Sequence, residues 1–295
     1  MTEGRFDRNE RLFGKEGQAR IRQGHLTVMG AGGLGSMVCM QAALLGFGRI
    51  SVVDIEELSE SNRNRYAGAW HSDPVPGSRK VDLAMRHINL IDPDIEVTAI
   101  HADIVSEAAL SAIKVADYVI GCVDEDGVRF FLNEASLAYG KTLIDLASDV
   151  PEPGRYGGRV SIVGKDTGCL CCREEIDMND ARRYLSSEGM RWNEAAAYGV
   201  PQSALGTAGP SVVSINGVIA SLGVTALMNL ATGRPLHFTR QTFRGDLGTI
   251  SKSAEIGRPD CYYCRSVRGL GDEAGLSRYF EACQLSGNDG CAVTA

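Results

Sequence analysis

The chain is predicted to fold as an α/β protein whose mostly parallel sheet carries helices on both faces and ends in a C-terminal antiparallel extension. Three observations support this. A unit of strand, glycine turn, helix and second strand occupies residues 25–54. Further short β-rich runs alternate with helical stretches, as in parallel sheets. After residue 154 the pattern changes to strand-like runs that look exposed and antiparallel.

The composition excludes several other classes of protein. With 44% hydrophobic and 23% charged residues, the chain is typical of a globular protein and not of a disordered one. Its net charge of −7 argues against a protein that coats nucleic acid or anionic lipid. Residues 210–233 carry no charge, but polar side chains are spread along them and no basic flank marks a cytoplasmic side, so we predict a buried helix. We expect neither a membrane nor a nucleic acid as a partner.

The first predicted strand, residues 25–29, runs into a glycine turn. Gly30, Gly32 and Gly35 have the G-x-G-x-x-G spacing. The first glycine permits a tight reversal, the next lets backbone N–H groups approach a phosphate, and the last lets the helix pack on the strand. Because a helix and a second strand follow, the unit indicates a Rossmann-like nucleotide-binding fold. An ordinary tight turn is the alternative.

Asp54 ends the second strand, where a carboxylate can accept hydrogen bonds from a ribose hydroxyl. Charged and amide side chains then concentrate near the carboxyl ends of the strands. They are Glu56, Asn62, Arg63, Asn64, Arg65 and Lys80. A nicotinamide needs no such charge, whereas cleavage of a triphosphate does, because the charge on the leaving pyrophosphate must be stabilised. The sequence therefore favours ATP, and an NAD-dependent oxidoreductase is an alternative.

Further strands are predicted on both sides of residue 154. Three β-rich runs at residues 96–100, 117–122 and 142–145 extend the parallel sheet. Residues 158–164 and 236–256 are expected to form exposed antiparallel strands, with the uncharged helix between them.

The nine cysteines do not indicate a disulfide framework. The count is odd and the N-terminal residues contain no apolar signal region, so we expect a reducing, cytoplasmic compartment. Two C-x-x-C pairs, Cys169 with Cys172 and Cys261 with Cys264, can complete a tetrahedral Zn²⁺ site. Buried or redox-active free thiols are the alternative. Because Cys171 is adjacent to Cys172, it is an alternative ligand in place of Cys172.

Taken together, these motifs resemble the ThiF/MoeB/HesA family, the bacterial relatives of ubiquitin-activating enzymes. The matching stretches are Arg5–Arg11, Gly30–Gly35, Asp54–Glu56, Ser61–Arg65, Lys80, and Cys122–Asp124 followed by Arg129. They occur in the family's order over roughly residues 4–265, and such a series is more specific than any single motif.

The resemblance implies ATP-dependent adenylation of a carboxylate, most often the C-terminal glycine of a small ubiquitin-like or sulfur-carrier protein, with release of pyrophosphate. The nucleotide-binding residues that it implies are Gly30, Gly32, Gly33, Gly35, Asp54, Glu56, Asn62, Arg65, Lys80 and Asp124. Arg8, Arg65, Lys80 and Asp124 would be catalytic. Asp124 would hold Mg²⁺, and Arg8 would reach into the partner subunit's site, which implies a homodimer. The two C-x-x-C pairs would hold a structural zinc.

Some of these residues have a plainer interpretation. A run of charge can be a solvated surface, Asp124 can cap the helix that follows it, and Arg8 can be ordinary surface. The chain also departs from the family at several positions. Glu56 stands in place of Asp, Asn9 and Tyr66 in place of Gln, and Glu125 in place of Asn. Glu125 adds negative charge beside the expected metal.

The expected organisation is one adenylation domain over residues 1–268, with a Rossmann-type part at about 25–150 and a zinc-stapled part at about 151–268. Residues 269–295 are expected to form a polar, loosely held tail. Residues 195–209, where some relatives carry an acyl-accepting cysteine, contain none, so no thioester is expected there. Cys283 and Cys291 in the tail stay open as acceptors. The sequence is also compatible with a small-molecule, peptide or modified-tRNA carboxylate as substrate, and with a non-catalytic scaffold role.

Overall fold

The computed structural model describes residues 4–152, 154–185 and 211–280, and its frame is a single eight-stranded sheet with strand order β3-β2-β1-β4-β5-β6-β7-β8. The strands are β1 His25–Met29, β2 Arg49–Val53, β3 Glu96–Ile100, β4 Tyr118–Gly121, β5 Thr142–Glu152, β6 Arg155–Val163, β7 Arg240–Arg244 and β8 Thr249–Ser253. The helices are α1 Asp7–Gln23, α2 Gly33–Leu45, α3 Lys80–Ile91, α4 Glu107–Val115, α5 Asp126–Ala138, α6 Met178–Leu185 and α7 Val213–Ala231.

The sheet confirms the predicted fold class. Strands β3, β2, β1, β4 and β5 pair in parallel, and β6, β7 and β8 continue the sheet in antiparallel fashion. The chain passes outwards from β1 to β2 and β3 and then crosses back to β4 on the other side of β1, so the strand order reverses between β1 and β4. In doubly wound sheets, ligands bind in the crevice that this reversal opens at the carboxyl ends of the strands.

Two apolar cores cover the two faces of the sheet. One contains the inner sides of α4 and α5, including Phe131 and Leu132. The other contains α2 and the inner side of α7, including Val38 and Leu227. Every residue of β1 is buried, because a parallel strand that is covered on both faces exposes neither row of side chains.

The structure corrects the expectation that the antiparallel strand after residue 154 is exposed throughout. The second half of β6 is buried, including Val160 and Ile162. Strand β6 lies between β5 and β7 within the sheet, and α7 packs against it. Its burial therefore comes from neighbours that are distant in sequence. Strand β7 is partly exposed and β8, at the end of the sheet, is largely exposed.

The uncharged segment forms α7, which packs against α2, β5 and β6. Within the described ranges it is the one helix that is long and apolar enough to cross a membrane by length and composition. Its inner face is buried, for example at Ile219 and Leu227, whereas Ser221 and Thr225 on the outer face are exposed. The predicted buried helix is therefore a half-buried one.

The first part of the expected tail is not loosely held. Leu276 is buried, and Arg278 pairs with the buried Glu134 of α5 at 2.5 Å. The hydroxyl of Tyr279 also donates to Glu134, so residues 271–280 are fastened to α5. Cys283, Cys291 and the stretch 195–209 lie outside the described residues.

Candidate nucleotide site and cysteine centre

The glycine turn connects β1 to α2. Gly30 has φ +92°, and a Cβ there would lie 2.7 Å from the carbonyl oxygen of Cys122. A Cβ on Gly35 would overlap the carbonyl oxygen of Gly30. Gly32 caps α2 and faces open space, where a Cβ would meet no atom of the described residues within 4 Å. The start of α2 thus offers backbone N–H groups and room, which is the arrangement that binds phosphate.

Asp54 follows β2 and lies directly beside this turn. Its Oδ2 accepts a hydrogen bond from the Ala31 amide at 2.7 Å, and its Oδ1 accepts one from the Glu56 amide at 2.7 Å. The residue is 8% exposed. Burial raises the pKa of Asp54, and the nearby ammonium of Lys80 opposes that rise. A fixed carboxylate therefore stands at the position for which ribose recognition is predicted.

Lys80 is the first residue of α3 and is only 4% exposed. Its ammonium forms a close ion pair with the carboxylate of Glu56. The phenol of Tyr66 donates a 2.6 Å hydrogen bond to the Lys80 carbonyl, which gives this departure from the family pattern a structural role. The structure therefore brings Asp54, Glu56 and Lys80 together in one place.

Arg65 packs against the glycine turn. Its aliphatic carbons lie 3.1 Å from the position that a Cβ on Gly33 would take. Its guanidinium donates to the carbonyl of Ser61 and, at 3.1 Å, to the Asn64 side chain. The positive end is thus held beside the start of α2, where the phosphates are expected.

Two other members of the predicted set mainly shape the loop that follows Glu56. The side chain of Asn62 accepts a hydrogen bond from the Ser59 amide at 3.3 Å and belongs to a capping box. Arg63 donates to the carbonyls of Trp70 and Asp73 at 2.7 and 2.8 Å. In this structure Asn62 and Arg63 therefore point their polar groups into the loop.

Asp124 lies just after β4 and is exposed. Within the described residues its carboxylate has no hydrogen bond or ion pair, and the N-cap of α5 is Glu125, without a side-chain bond. Asp124 is therefore not seen as a helix cap. An unengaged hard oxygen ligand at this edge of the sheet fits the preference of Mg²⁺.

Glu125 adds a further carboxylate at the start of α5, between Asp124 and Asp126. Burial raises the pKa of Glu125, and repulsion from Asp124 and Asp126 raises it further. The partial positive charge of a helix N-terminus partly offsets such crowding. The start of α5 is consequently a strongly anionic region that favours a cation.

Arg8 lies away from the other predicted catalytic residues. It is an exposed residue of α1. Two positions earlier, the ring of Phe6 packs at Gly46, which ends α2 at the far side from the glycine turn. The 13 residues of α2 separate the two ends by about 20 Å. Arg8 therefore does not enter the crevice of its own chain.

The two C-x-x-C pairs converge. The sulfur atoms of Cys169, Cys172, Cys261 and Cys264 all lie within 4.8 Å of one another. The distances are 3.7 Å for Cys169–Cys261 and 4.0 Å for Cys172–Cys264. Tetrahedral zinc with bonds of about 2.3 Å to sulfur requires separations of about 3.8 Å. The cluster has the geometry to hold a zinc ion. Cys171 is not in it, and its sulfur accepts from Asn133 instead.

Sequence reasoning missed two buried polar residues near the site. Asn216 of α7 is buried, and a Cβ on Gly33 would overlap its side-chain nitrogen. The signal for it was an amide side chain within an uncharged apolar helix. Asp145 of β5 is fully buried, and its ionic partners come from α5 and β6. No local pattern indicated those partners.

Comparisons with known proteins agree on the type of protein. The profile of the ThiF family matches residues 6–263. The chain is 28% identical over 254 residues to the vegetative HesA protein of Trichormus variabilis, which covers 85% of this chain and 84% of that protein. It is 31% identical over 131 residues to the sulfur carrier protein adenylyltransferase of Thermus thermophilus, which covers 44% of this chain and 48% of that protein.

Among solved structures, the fold is similar to that of E. coli MccB crystallised with MccA-N7isoAsn. The TM-score is 0.70 at 19% identity, over 88% of this chain and 75% of that one. At this identity the likeness supports the fold alone.

Proposed function

The chain belongs to the ThiF family and is an adenylyltransferase, and from that premise we propose that it uses ATP to activate the C-terminal carboxylate of a small ubiquitin-like or sulfur-carrier protein. The product would be an acyl-adenylate. The observation that supports this most is the convergence of Asp54, Lys80 and Arg65 around the glycine turn. Family membership argues against an oxidoreductase and against a non-catalytic scaffold.

In this proposal the nucleotide lies across the glycine turn. The ribose hydroxyls would donate to Asp54, which is held by two backbone amides. The phosphates would meet the N–H groups at the start of α2, and Arg65 and Lys80 would stabilise the charge that develops on leaving pyrophosphate. The ion pair with Glu56 keeps the Lys80 ammonium close to Asp54 until the phosphates arrive.

The reaction forms one bond and breaks one bond. A substrate carboxylate oxygen bonds to the α-phosphorus of ATP, while the bond from that phosphorus to the oxygen bridging to the β-phosphate breaks. A carboxylate is already ionised at neutral pH, so no base is required. The protein's task is to bring two anions together in line. Asp124 is the residue that fits Mg²⁺, an ion that would neutralise phosphate charge when bound.

We further propose that the enzyme is a homodimer in which Arg8 serves the partner subunit's site. The outer faces of α2 and α7 form a continuous surface without charge, which a second copy of the chain could cover. Its members include Met37, Gln41, Leu44, Gly217, Ser221 and Thr225. The distance of Arg8 from its own crevice supports the same arrangement.

The cysteine cluster is proposed to hold a structural zinc ion in a cytoplasmic protein. Cys169 and Cys172 follow β6, whereas Cys261 and Cys264 lie beyond β8. A metal there would tie the two ends of the antiparallel extension together. The cluster lies apart from Asp54, Lys80 and Asp124, which favours a structural role over a catalytic one.

The substrate proposal is tested by ATP–pyrophosphate exchange. Purified enzyme would be mixed with labelled pyrophosphate, ATP, Mg²⁺ and ubiquitin-fold proteins encoded beside its gene. We expect exchange with a carrier that ends in a free C-terminal glycine. The matched control is the same carrier with that glycine deleted, which should give none.

Exchange supported only by a peptide, a tRNA or a small carboxylic acid would replace the carrier as substrate while keeping adenylation. Absence of AMP-linked product with every acceptor would contradict the proposed function itself. Thermal protection by ATP, with none by NADH, gives an independent check of the nucleotide.

A further inference from the structure

A buried ionic network lies directly behind the Asp124 loop, and the proposed chemistry makes no use of it. At its centre is Asp145 of β5, which is 0% exposed. Its carboxylate lies 3.5 Å from the Nε of Arg129 and 3.6 Å from an Nη of Arg159. Within the described residues neither carboxylate oxygen has a hydrogen-bond partner. A carboxylate that is buried without hydrogen bonds lowers the stability of the fold, and its ion pairs offset that cost only in part.

Arg129 connects this carboxylate to the loop. It lies in α5 and is 7% exposed. One Nη donates to the carbonyl of Val123 at 2.5 Å, and the other donates to the carbonyl of Asp124 at 3.4 Å and to the Asp126 side chain at 3.1 Å. The guanidinium therefore holds the backbone on both sides of the Asp124 side chain.

Asp145 faces the one nitrogen of this guanidinium that makes no hydrogen bond within the described residues. The Nε of Arg129 has no hydrogen-bond partner in the described part of the chain, and the Asp145 carboxylate is its nearest counter-charge. Asp145 also lies against β4, since a Cβ on Gly121 would be 3.3 Å from its Oδ1. The carboxylate thus contacts the strand that leads into the loop and the arginine that grips it.

The other side of Asp145 is fixed as well. Arg159 donates to the Glu175 carbonyl at 2.8 Å and pairs with its carboxylate at 3.3 Å. Glu175 is in turn held by Arg173 at 2.8 Å. With Arg159 anchored in this way, Asp145 cannot follow a shift of Arg129 without separating from a second, half-buried cation.

We propose that Asp145 is a positioning residue for Asp124: it fixes Arg129, and Arg129 fixes the Val123 and Asp124 carbonyls, so that the Asp124 carboxylate is presented to the magnesium ion of MgATP. This inference rests on the proposed function. It assigns no contact with substrate to Asp145. Substitution of a residue that orients a metal-binding carboxylate without touching the metal typically lowers metal affinity by about 10–100-fold.

The matched pair of variants is Asp145→Asn and Asp92→Asn. Asp92 is also buried and forms ion pairs with two arginines, Arg5 and Arg22, each at 3.1 Å. It lies at the end of α3 remote from Lys80, so it tests the cost of losing a buried carboxylate without touching the loop. Both variants are expected to lower thermal stability.

The first measurement is amide hydrogen exchange of the metal-free and nucleotide-free protein. In Asp145→Asn we expect exchange about tenfold faster in peptides covering residues 122–130, with no change at the glycine turn. Asp92→Asn should leave residues 122–130 unchanged. Equal protection of this segment in both variants would overturn the inference, whatever the fate of the proposed function.

The second measurement is calorimetric binding of α,β-methylene-ATP with Mg²⁺ and with EDTA. Asp145→Asn should lose about tenfold in affinity with Mg²⁺ and keep its affinity in EDTA. If that variant fails to fold, Arg129→Lys should show the same split, because an ammonium cannot hold both carbonyls and Asp145 together. Magnesium-dependent binding in the wild type that both variants retain would contradict the inference alone. No magnesium dependence in the wild type would contradict the proposed role of Asp124, and this inference with it.

Discussion

At the scale of single residues, the site holds charged side chains close together, and they differ in how far solvent reaches them. Lys80 is nearly inaccessible, yet its ion-pair partner Glu56 is largely exposed at its side chain. Removal of the ammonium would therefore leave a carboxylate that water can solvate. Because Lys80 is buried and Glu56 is exposed, loss of Lys80 should lower the reaction rate much more than it lowers the free energy of unfolding.

Lys80→Ala is expected to lower ATP–pyrophosphate exchange by about 100-fold or more, because the developing phosphate charge loses a preorganised cation. The melting temperature should fall little. Lys141→Ala is the control for loss of a lysine side chain, since the Lys141 ammonium donates to the backbone carbonyl of Ala116 and is not one of the predicted site residues. Full exchange in the Lys80 variant would show that this lysine does not serve the reaction.

His25 gives a prediction for the pH dependence of stability. Its Nε2 lies 2.8 Å from the Ser51 hydroxyl in a buried position at the start of β1. Burial, followed by repulsion from Arg49, lowers the pKa of His25. The unfolded chain, with a His pKa of about 6.5, then binds more protons than the folded one. Stability contributed by neutral His25 is therefore present above about pH 6.5 and is lost as the pH falls below it.

Urea unfolding at pH 7.5 and pH 5.5 measures this effect. His25→Gln keeps a side-chain partner for Ser51 and removes the titration, so the variant should lose less free energy of unfolding between the two pH values than the wild type. His101→Gln, at an exposed histidine, is the control and should behave as the wild type does. An identical loss in wild type and His25→Gln would rule out His25 as the cause.

At the scale of elements, the features that depend on residues close in sequence could be predicted, and those that depend on distant parts of the chain could not. Strand β1 and the turn after it were predictable, because Gly30 is required by the conformation of its own backbone, which has φ +92°. The burial of β6 was not, since it depends on β7 and α7, which follow much later in the chain. Asp145 was missed for the same reason: Arg129 and Arg159 reach it from other elements.

The glycine turn allows folding and binding to be separated by substitution. Gly30→Ala should destabilise the fold by about 1–3 kcal/mol, because it forces a Cβ into a left-handed conformation and against the Cys122 carbonyl. Gly32→Ala should leave the free energy of unfolding almost unchanged, since the space there is open and φ is −76°. If that space receives phosphate, the same variant should bind ATP more weakly.

Urea unfolding and ATP titration of both variants check this expectation. ATP affinity in Gly32→Ala equal to that of the wild type would mean that the phosphates lie elsewhere.

At the scale of the whole molecule, the cysteine cluster brings together two segments that lie outside the strands, one after β6 and one after β8. Cys172→Ser should abolish zinc binding and lower the melting temperature, because the metal would contribute directly to folding free energy. Cys171→Ser is a close control, because the Cys171 sulfur is next in sequence to Cys172 but lies outside the cluster. This variant is expected to retain about one zinc ion per chain. Metal analysis and thermal unfolding measure both quantities. An unchanged melting curve after verified metal loss would argue against a structural role.

The assembly gives the last prediction. Arg8 is remote from the crevice of its own chain, whereas Lys80 lies within it. If Arg8 acts in the partner subunit's site, Arg8→Ala and Lys80→Ala should each be inactive alone but complement each other when mixed. In a mixed dimer, the site that keeps Lys80 receives the partner's intact Arg8.

Random mixing of equal amounts makes half of the dimers mixed, each with one complete site, so exchange should recover to about a quarter of the wild-type rate. If Arg8 acted within its own chain, every active Arg8 would accompany a defective Lys80 and the mixture would stay inactive. Mixing after mild denaturation and refolding, with each variant refolded alone as the control, distinguishes the two cases, because only action across the subunit boundary regenerates an intact site.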